Sequence, residues 1–230
     1  MKKLSLFLTL VMILTTCLFA FASCNEKADE SQATSSEVSE AVSEAVSEAV
    51  SEAVSEEVSV PDIFLYDIDR TKTKTVKTVG KTYEVDATTP IAEAWPDVEG
   101  KDLTDGIYGA ADGADAAYAG ISGVSTAFIV VDLGEAIEGL ADFEVTALNG
   151  NWGVYAPPKV TVYVSEDGDI FYEAGSVETD IAYPEAGSEE WTTHTISVQL
   201  EKGVKARFVK FAIDLSGWLF ISELEASTYE

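Results

Sequence analysis

Six aromatic residues stand in stretches that read as loop: Trp95, Tyr118, Trp152, Tyr155, Trp218 and Phe220. A sugar ring offers a flat C–H face and a rim of hydroxyls. An indole or phenol takes the face, while amides and carboxylates take the rim. Asn149, Asn151 and Asp97 are the rim partners that the sequence supplies near these rings. The chemistry concentrates in Asn149-Gly150-Asn151-Trp152-Gly153-Val154-Tyr155 and in Ser216-Gly217-Trp218. For any single ring the competing reading is core packing or a loop plug. That reading is strongest for Phe220, whose alternation with Leu219 turns it inward.

Reactive chemistry is harder to assemble. His194 is the single histidine, which removes multi-histidine metal sites and argues against a histidine relay. The two cysteines, Cys17 and Cys24, precede the globular part, so disulfides, thiolate zinc sites and cysteine nucleophiles are missing from it. There is no serine elbow, zinc signature or phosphate loop. Carboxylates are numerous enough that some pair must fall at a glycosidase-like distance, but nothing else marks such a pair. The expectation is a protein that is not an enzyme.

Charge narrows the partners. Lys plus Arg is 14 and Asp plus Glu is 41, a formal net charge of −27, which argues against nucleic acid as a ligand. The first 60 residues hold ten of the acids and three of the bases. Residues 61–230 therefore keep 31 acids and 11 bases, a net −20. Five of those bases, Arg70, Lys72, Lys74, Lys77 and Lys81, crowd into one early segment. We read it as a charged edge strand that discourages pairing, with a binding patch as the alternative.

The N-terminal quarter has another composition. Lys2 and Lys3 precede an apolar run from Leu4 to Phe21, which is shorter than most bilayer-spanning helices and ends in small residues. Residues 1–23 read as a secretory signal. Phe21-Ala22-Ser23-Cys24 is similar to a lipobox, which makes Cys24 the lipidated residue and places the protein on the outer face of a bacterial cell membrane. Phe21 stands where Leu is usual, and the alternative is a secreted protein cleaved after Ser23 with Cys24 a free thiol. Residues 24–60 are a linker of Ser, Glu, Ala and Val. Valine recurs every fourth residue from Val38 to Val58, and Glu44, Glu48, Glu52 and Glu56 share that spacing. Like charges at i, i+4 oppose a helix, so the linker reads as a disordered or partly helical acidic stalk. A coiled coil is the sharper alternative.

Positioning the aromatic loops is the task of residues 61–230. Eight runs alternate or are β-branched: Thr82–Val85, Ala127–Leu133, Phe143–Leu148, Lys159–Ser165, Ile170–Gly175, His194–Leu200, Ala206–Leu215 and Leu219–Ala226. Ser165-Glu166-Asp167-Gly168 supplies a hairpin turn between two of them. With no long helical period, this predicts one all-β domain, an antiparallel β-sandwich or jelly roll, acting as a monomer.

Four segments in order carry a resemblance: Leu103-Thr104-Asp105-Gly106, then Phe128 to Gly134 with its Val-Asp-Leu-Gly end, then Lys159 to Phe171, then Ala206-Arg207-Phe208-Val209-Lys210 running on to Ile221-Ser222-Glu223-Leu224. Over roughly Thr82 to Ser227 the chain resembles the discoidin family, the coagulation factor V/VIII C-type domains among the galactose-binding-like sandwiches. The resemblance implies a non-catalytic module that binds carbohydrate or glycoconjugate through loops at one end of the sandwich. A protein-binding adhesion or scaffold module is the alternative. It also implies a structural calcium held by the carboxylates of Asp105 and Glu223 and by backbone oxygens near Leu103, Ile107 and Ala110, with Asp112 and Asp115 as possible additions.

Overall fold

The computed structural model describes residues 62–230 except Ala186. The signal, Cys24 and the linker lie outside the described residues. Nine strands are found in the described part: β1 (Phe64–Asp67), β2 (Lys74–Val76), β3 (Thr82–Val85), β4 (Ala119–Ile121), β5 (Thr126–Asn149), β6 (Lys159–Ser165), β7 (Tyr172–Glu178), β8 (Thr192–Asp214) and β9 (Leu219–Tyr229). In β6, Val160, Val162 and Val164 are buried while Lys159, Thr161 and Tyr163 are half-exposed. A strand with one apolar face needs a second layer to cover it.

β5 and β8 carry the architecture. They run for 24 and 23 residues and pair antiparallel along their lengths. Thr126–Asp132 faces Phe208–Asp214; after three register shifts, Asp142–Asn149 faces Thr192–Gln199. The first halves of this pairing join β3, β6 and β7 in one layer. The second halves join β9, with β2 and β4 beside it, in the other. Ile129, Val162 and Phe211 from one layer share a single apolar cluster with Phe143, Val145 and Leu224 from the other, so the sheet folds over on itself as a sandwich. At the bend a Cβ on Gly203 would lie 2.9 Å from the Gly139 Cα, so two backbones pass where no side chain fits.

The all-β antiparallel sandwich therefore forms as the pattern predicts, with different strand bounds. The runs expected at Ala127–Leu133 and Phe143–Leu148 are two ends of one strand, as are those at His194–Leu200 and Ala206–Leu215. Pairing continues through the bulged middle, where alternation lapses. β1, β2 and β4 have three or four residues each, too few to show a period. Arg207 grips Asp132 with two bonds of 2.8 Å, which ties the Val-Asp-Leu-Gly segment to the Ala-Arg-Phe-Val-Lys segment.

The basic segment is more than a guarded edge. Arg70 bonds Asp142 at 2.8 Å, Lys74 bonds Glu144 at 2.6 Å, and Lys77 pairs with Glu230. Arg70 and Lys74 lie across the outer face of the second layer and neutralise its acids, while Lys77 meets the C-terminal residue.

Candidate functional site

Asn149 at the end of β5 and Thr192 at the start of β8 are register partners, so the loops beyond them emerge side by side. The stretch containing Trp152 is joined to the one containing Trp218. The Trp218 N–H donates to the Gly153 carbonyl at 2.8 Å, and the Tyr155 N–H donates to the Trp218 carbonyl at 3.0 Å. Trp152, one residue before this junction, has a left-handed backbone, φ 63°, and 84% of its surface exposed. A non-glycine residue pays strain for that conformation, which is a recurring mark of functional loops.

All four tryptophans, Trp95, Trp152, Trp191 and Trp218, line one cleft of about 460 Å³ together with Phe220 and Asp112. Beneath it Tyr118, Leu148, Val154 and Phe220 form an apolar cluster separate from the main core. Trp95 meets Trp218 edge-on at 5.3 Å and Phe220 at 5.0 Å, so the rings brace one another. Trp191 lies against backbone. A Cβ on Gly113 would sit 2.6 Å from its indole, and one on Gly150 would overlap the ring itself. Among the described residues Asp112 is the only charged side chain in the lining; one of its oxygens accepts the Ala114 N–H at 2.9 Å. A wider hollow of about 690 Å³ lies beside Asn149, Thr192 and His194; among the described residues its lining has no Trp, Tyr or Phe, and His194 is its one aromatic ring that could stack.

Trp95, Trp152 and Trp218 thus come together as the sequence suggested. Phe220 forms the floor, and Tyr118 is buried at 1% exposure with its hydroxyl donating to the Ala110 carbonyl at 2.9 Å. Tyr155 is outside the cleft lining and stacks on Tyr183 at 4.3 Å. Asn151 accepts the Trp152 N–H at 2.8 Å and shapes the loop tip. Asn149 lies outside the cleft lining. Its amide donates to the Ala182 carbonyl at 3.1 Å and accepts the Ala156 N–H at 3.2 Å, one bond at each end. Asp97 is similarly engaged, by the Tyr83 hydroxyl at 2.7 Å and the Lys101 N–H at 3.0 Å. Trp191 was missed as a site residue. Its place beside the loop after Asn149 follows from the antiparallel pairing of β5 with β8, which the sequence does not show.

Of the residues implied for calcium, Leu103, Asp105, Ile107 and Ala110 belong to the segment between β3 and β4, and Glu223 lies on the outer face of the second layer. There Asp142 stands opposite Ser227, Glu144 opposite Glu225 and Thr146 opposite Glu223. Asp142 receives Arg70 and the Tyr229 hydroxyl; Glu144 receives Lys74 and the Ser197 hydroxyl; Glu225 receives the Tyr108 hydroxyl. Glu223 receives only the Gly106 N–H, at 3.1 Å, and its other oxygen is buried without a partner. Burial pushes this carboxyl up to about 8, with the Asp105 and Glu225 charges adding and the Gly106 N–H opposing. An orphaned carboxylate oxygen beside Asp105 fits a hard cation. The Leu103 carbonyl already accepts the Leu224 N–H, which leaves it a second lone pair. The Ala110 carbonyl accepts both the Tyr118 hydroxyl and the Asp112 N–H, so it fits poorly. Among the described residues no group of three or more His, Cys, Asp or Glu side chains is placed to hold a metal. A cation here would depend on two carboxylates and backbone oxygens.

No family model and no curated protein matches the chain. Solved structures that it resembles include carbohydrate-binding modules. A family 32 module of Clostridium perfringens NanJ, in complex with galactose, is 13% identical with a TM-score of 0.46, covering 67% of this chain and 99% of that one. A CBM32 module of Clostridium perfringens, in complex with GalNAc-β-1,3-galactose, is 20% identical with a TM-score of 0.44, covering 66% and 99%. A Streptococcus pneumoniae fucose-binding module is 17% identical with a TM-score of 0.43, covering 68% and 99%.

Proposed function

We propose that this protein is a non-catalytic carbohydrate-binding module carried on the outer face of a bacterial membrane by a lipid on Cys24. The observation that supports binding is the convergence of all four tryptophans on one cleft at the end of the sandwich. Trp152 offers a ring to solvent, Trp95 and Trp218 brace each other as a wall, and Phe220 closes the floor. A sugar entering this space stacks its C–H face on indole and sheds water from both surfaces. Asp112 accepts a hydroxyl at the rim. Rings held by packing lose little freedom on binding, so more of the contact energy appears as affinity.

Calcium has a structural part in this reading. Asp105, Glu223 and the carbonyls of Leu103 and Ile107 would hold it. The ion would supply the positive charge that Glu223 lacks, and would pin the loop from Leu103 to Ile107 against β9. A glycan array probed with the full-length chain tests the module. Binding that falls in both Trp152→Ala and Trp218→Ala supports it. Binding unaffected by either change sinks the cleft assignment. Tight binding to one protein that no sugar displaces supports the adhesion alternative.

A further inference from the structure

We propose that the tryptophan cleft is an aromatic cage for a quaternary ammonium group, the trimethylammonium end of a small cationic solute. The inference goes beyond the carbohydrate reading and does not depend on it. The ring centroids of Trp95, Trp218 and Phe220 form a triangle with sides of 5.3, 5.0 and 6.1 Å. A point about 4 Å above its centre lies within about 6 Å of all three centroids, the distance over which a cation is held by an aromatic ring. The rings are crossed, at 64° between Trp95 and Trp218 and 86° between Trp218 and Phe220. A sugar stacks on one flat face, whereas a near-spherical cation gains from several rings turned in different directions. Trp152 and Trp191 extend the same lining.

The polar groups point the same way. Among the described residues Asp112 is the only ionisable side chain of the lining, with no Lys, Arg or His beside it to compete for a ligand's charge. Asp112 is exposed, and one of its oxygens accepts the Ala114 N–H. A hexose here keeps most of its hydroxyls in water. A trimethylammonium group has no N–H to satisfy, and its charge is spread over methyl groups that pack on carbon. Glu189 and Glu190, both exposed, lead directly into Trp191, and residues 61–230 as a whole carry the −20 excess read from the sequence. That field draws in a free cation and opposes a phosphate-linked headgroup. Trp191 rests on the backbone at Gly113 and Gly150, and Trp95 on Phe220, so the rings are set before a ligand arrives.

The test is titration calorimetry of the full-length chain with choline and with 3,3-dimethylbutan-1-ol, which has the same shape with carbon in place of the charged nitrogen. Choline is expected to bind about tenfold tighter, and the ratio should shrink at high salt. Trp95→Leu removes one ring and keeps an apolar contact; it should lower the ratio. In Asp112→Asn, at an exposed position, the ratio should fall about threefold, and asparagine keeps an acceptor for the Ala114 N–H. Equal binding of choline and the neutral alcohol overturns the proposal, as does a preference for choline that survives both substitutions. Attachment to phosphatidylcholine vesicles without uptake of free choline overturns it too, because the phosphate would then be part of what is recognised. If choline fails and the glycan array gives a signal that Trp152→Ala abolishes, the cage is wrong and the carbohydrate reading stands. Choline binding with no glycan bound supports the cage and sinks the carbohydrate reading.

Discussion

The tryptophan cleft and the acidic outer face of the second layer divide the molecule's polar and apolar resources in opposite ways. On the outer face, carboxylates are taken out of water and nearly every one is matched. Asp142 is 1% exposed and receives both Arg70 and Tyr229; Glu144 receives Lys74 and Ser197. At the cleft, rings that could have been buried are left in reach of water, and Trp152 is held out on a strained backbone. A group that is satisfied has no use for a ligand. The unsatisfied surfaces are therefore where binding is to be sought, namely the indoles at one site and the orphaned Glu223 oxygen at the other.

Substitutions should separate the two regions. The largest stability loss is expected from Asp142→Ala, which leaves Arg70 and the Tyr229 hydroxyl without their acceptor. Removing one member of a buried pair costs about 3–5 kcal/mol, and Arg70 is 38% exposed, so about 3 kcal/mol is the upper end here. Urea unfolding reads it, and glycan binding at the intact cleft should not change. A large loss of binding would mean that the two regions are coupled. Gly150→Ala comes next. Its methyl group collides with Trp191, costing about 1–3 kcal/mol and disturbing the cleft in the same step. Wild-type affinity in that variant would show that Trp191 is not part of the binding surface.

Trp152→Ala should do the reverse of Asp142→Ala. Affinity falls by about tenfold, roughly 1.4 kcal/mol, while the melting temperature stays level because the ring is 84% exposed. Trp218→Ala differs, since that ring packs on Trp95 and Phe220, and it should lower both quantities. The smallest effect belongs to calcium. If the ion adds about 1 kcal/mol, chelation lowers the melting point by about 2–4 °C and added calcium restores it. In Glu223→Gln, which removes the carboxylate ligand, calcium should no longer shift the melt. A melt in the wild type that ignores both chelator and calcium removes the metal.

Much of the scaffold was readable because β-structure repeats every two residues. Val160, Val162 and Val164 announce a core face, and Ser165 to Gly168 announces the turn that follows. The joining of runs into β5 and β8 was not readable, because a bulge breaks alternation without breaking hydrogen bonding. At the cleft, residue type identified Trp95, Trp152 and Trp218 as candidates. It could not show that Asn149 falls outside the cleft lining with its amide bonded to Ala156 and Ala182, since those neighbours are brought to it only by folding. Trp191 was hidden for a related reason. Its neighbours Gly113 and Gly150 lie far off in sequence, and glycine gives no hint of what rests on it.

The length of β5 and β8 has a thermal consequence. Each strand begins in one layer and finishes in the other, so neither layer possesses a complete set of its own strands. Partial melting would have to sever a continuous backbone ladder midway, which leaves no economical halfway state. Heating should therefore produce one transition by every probe, and amides at Ile129 and Val145, on opposite sides of the bend, should exchange with solvent through the same global opening.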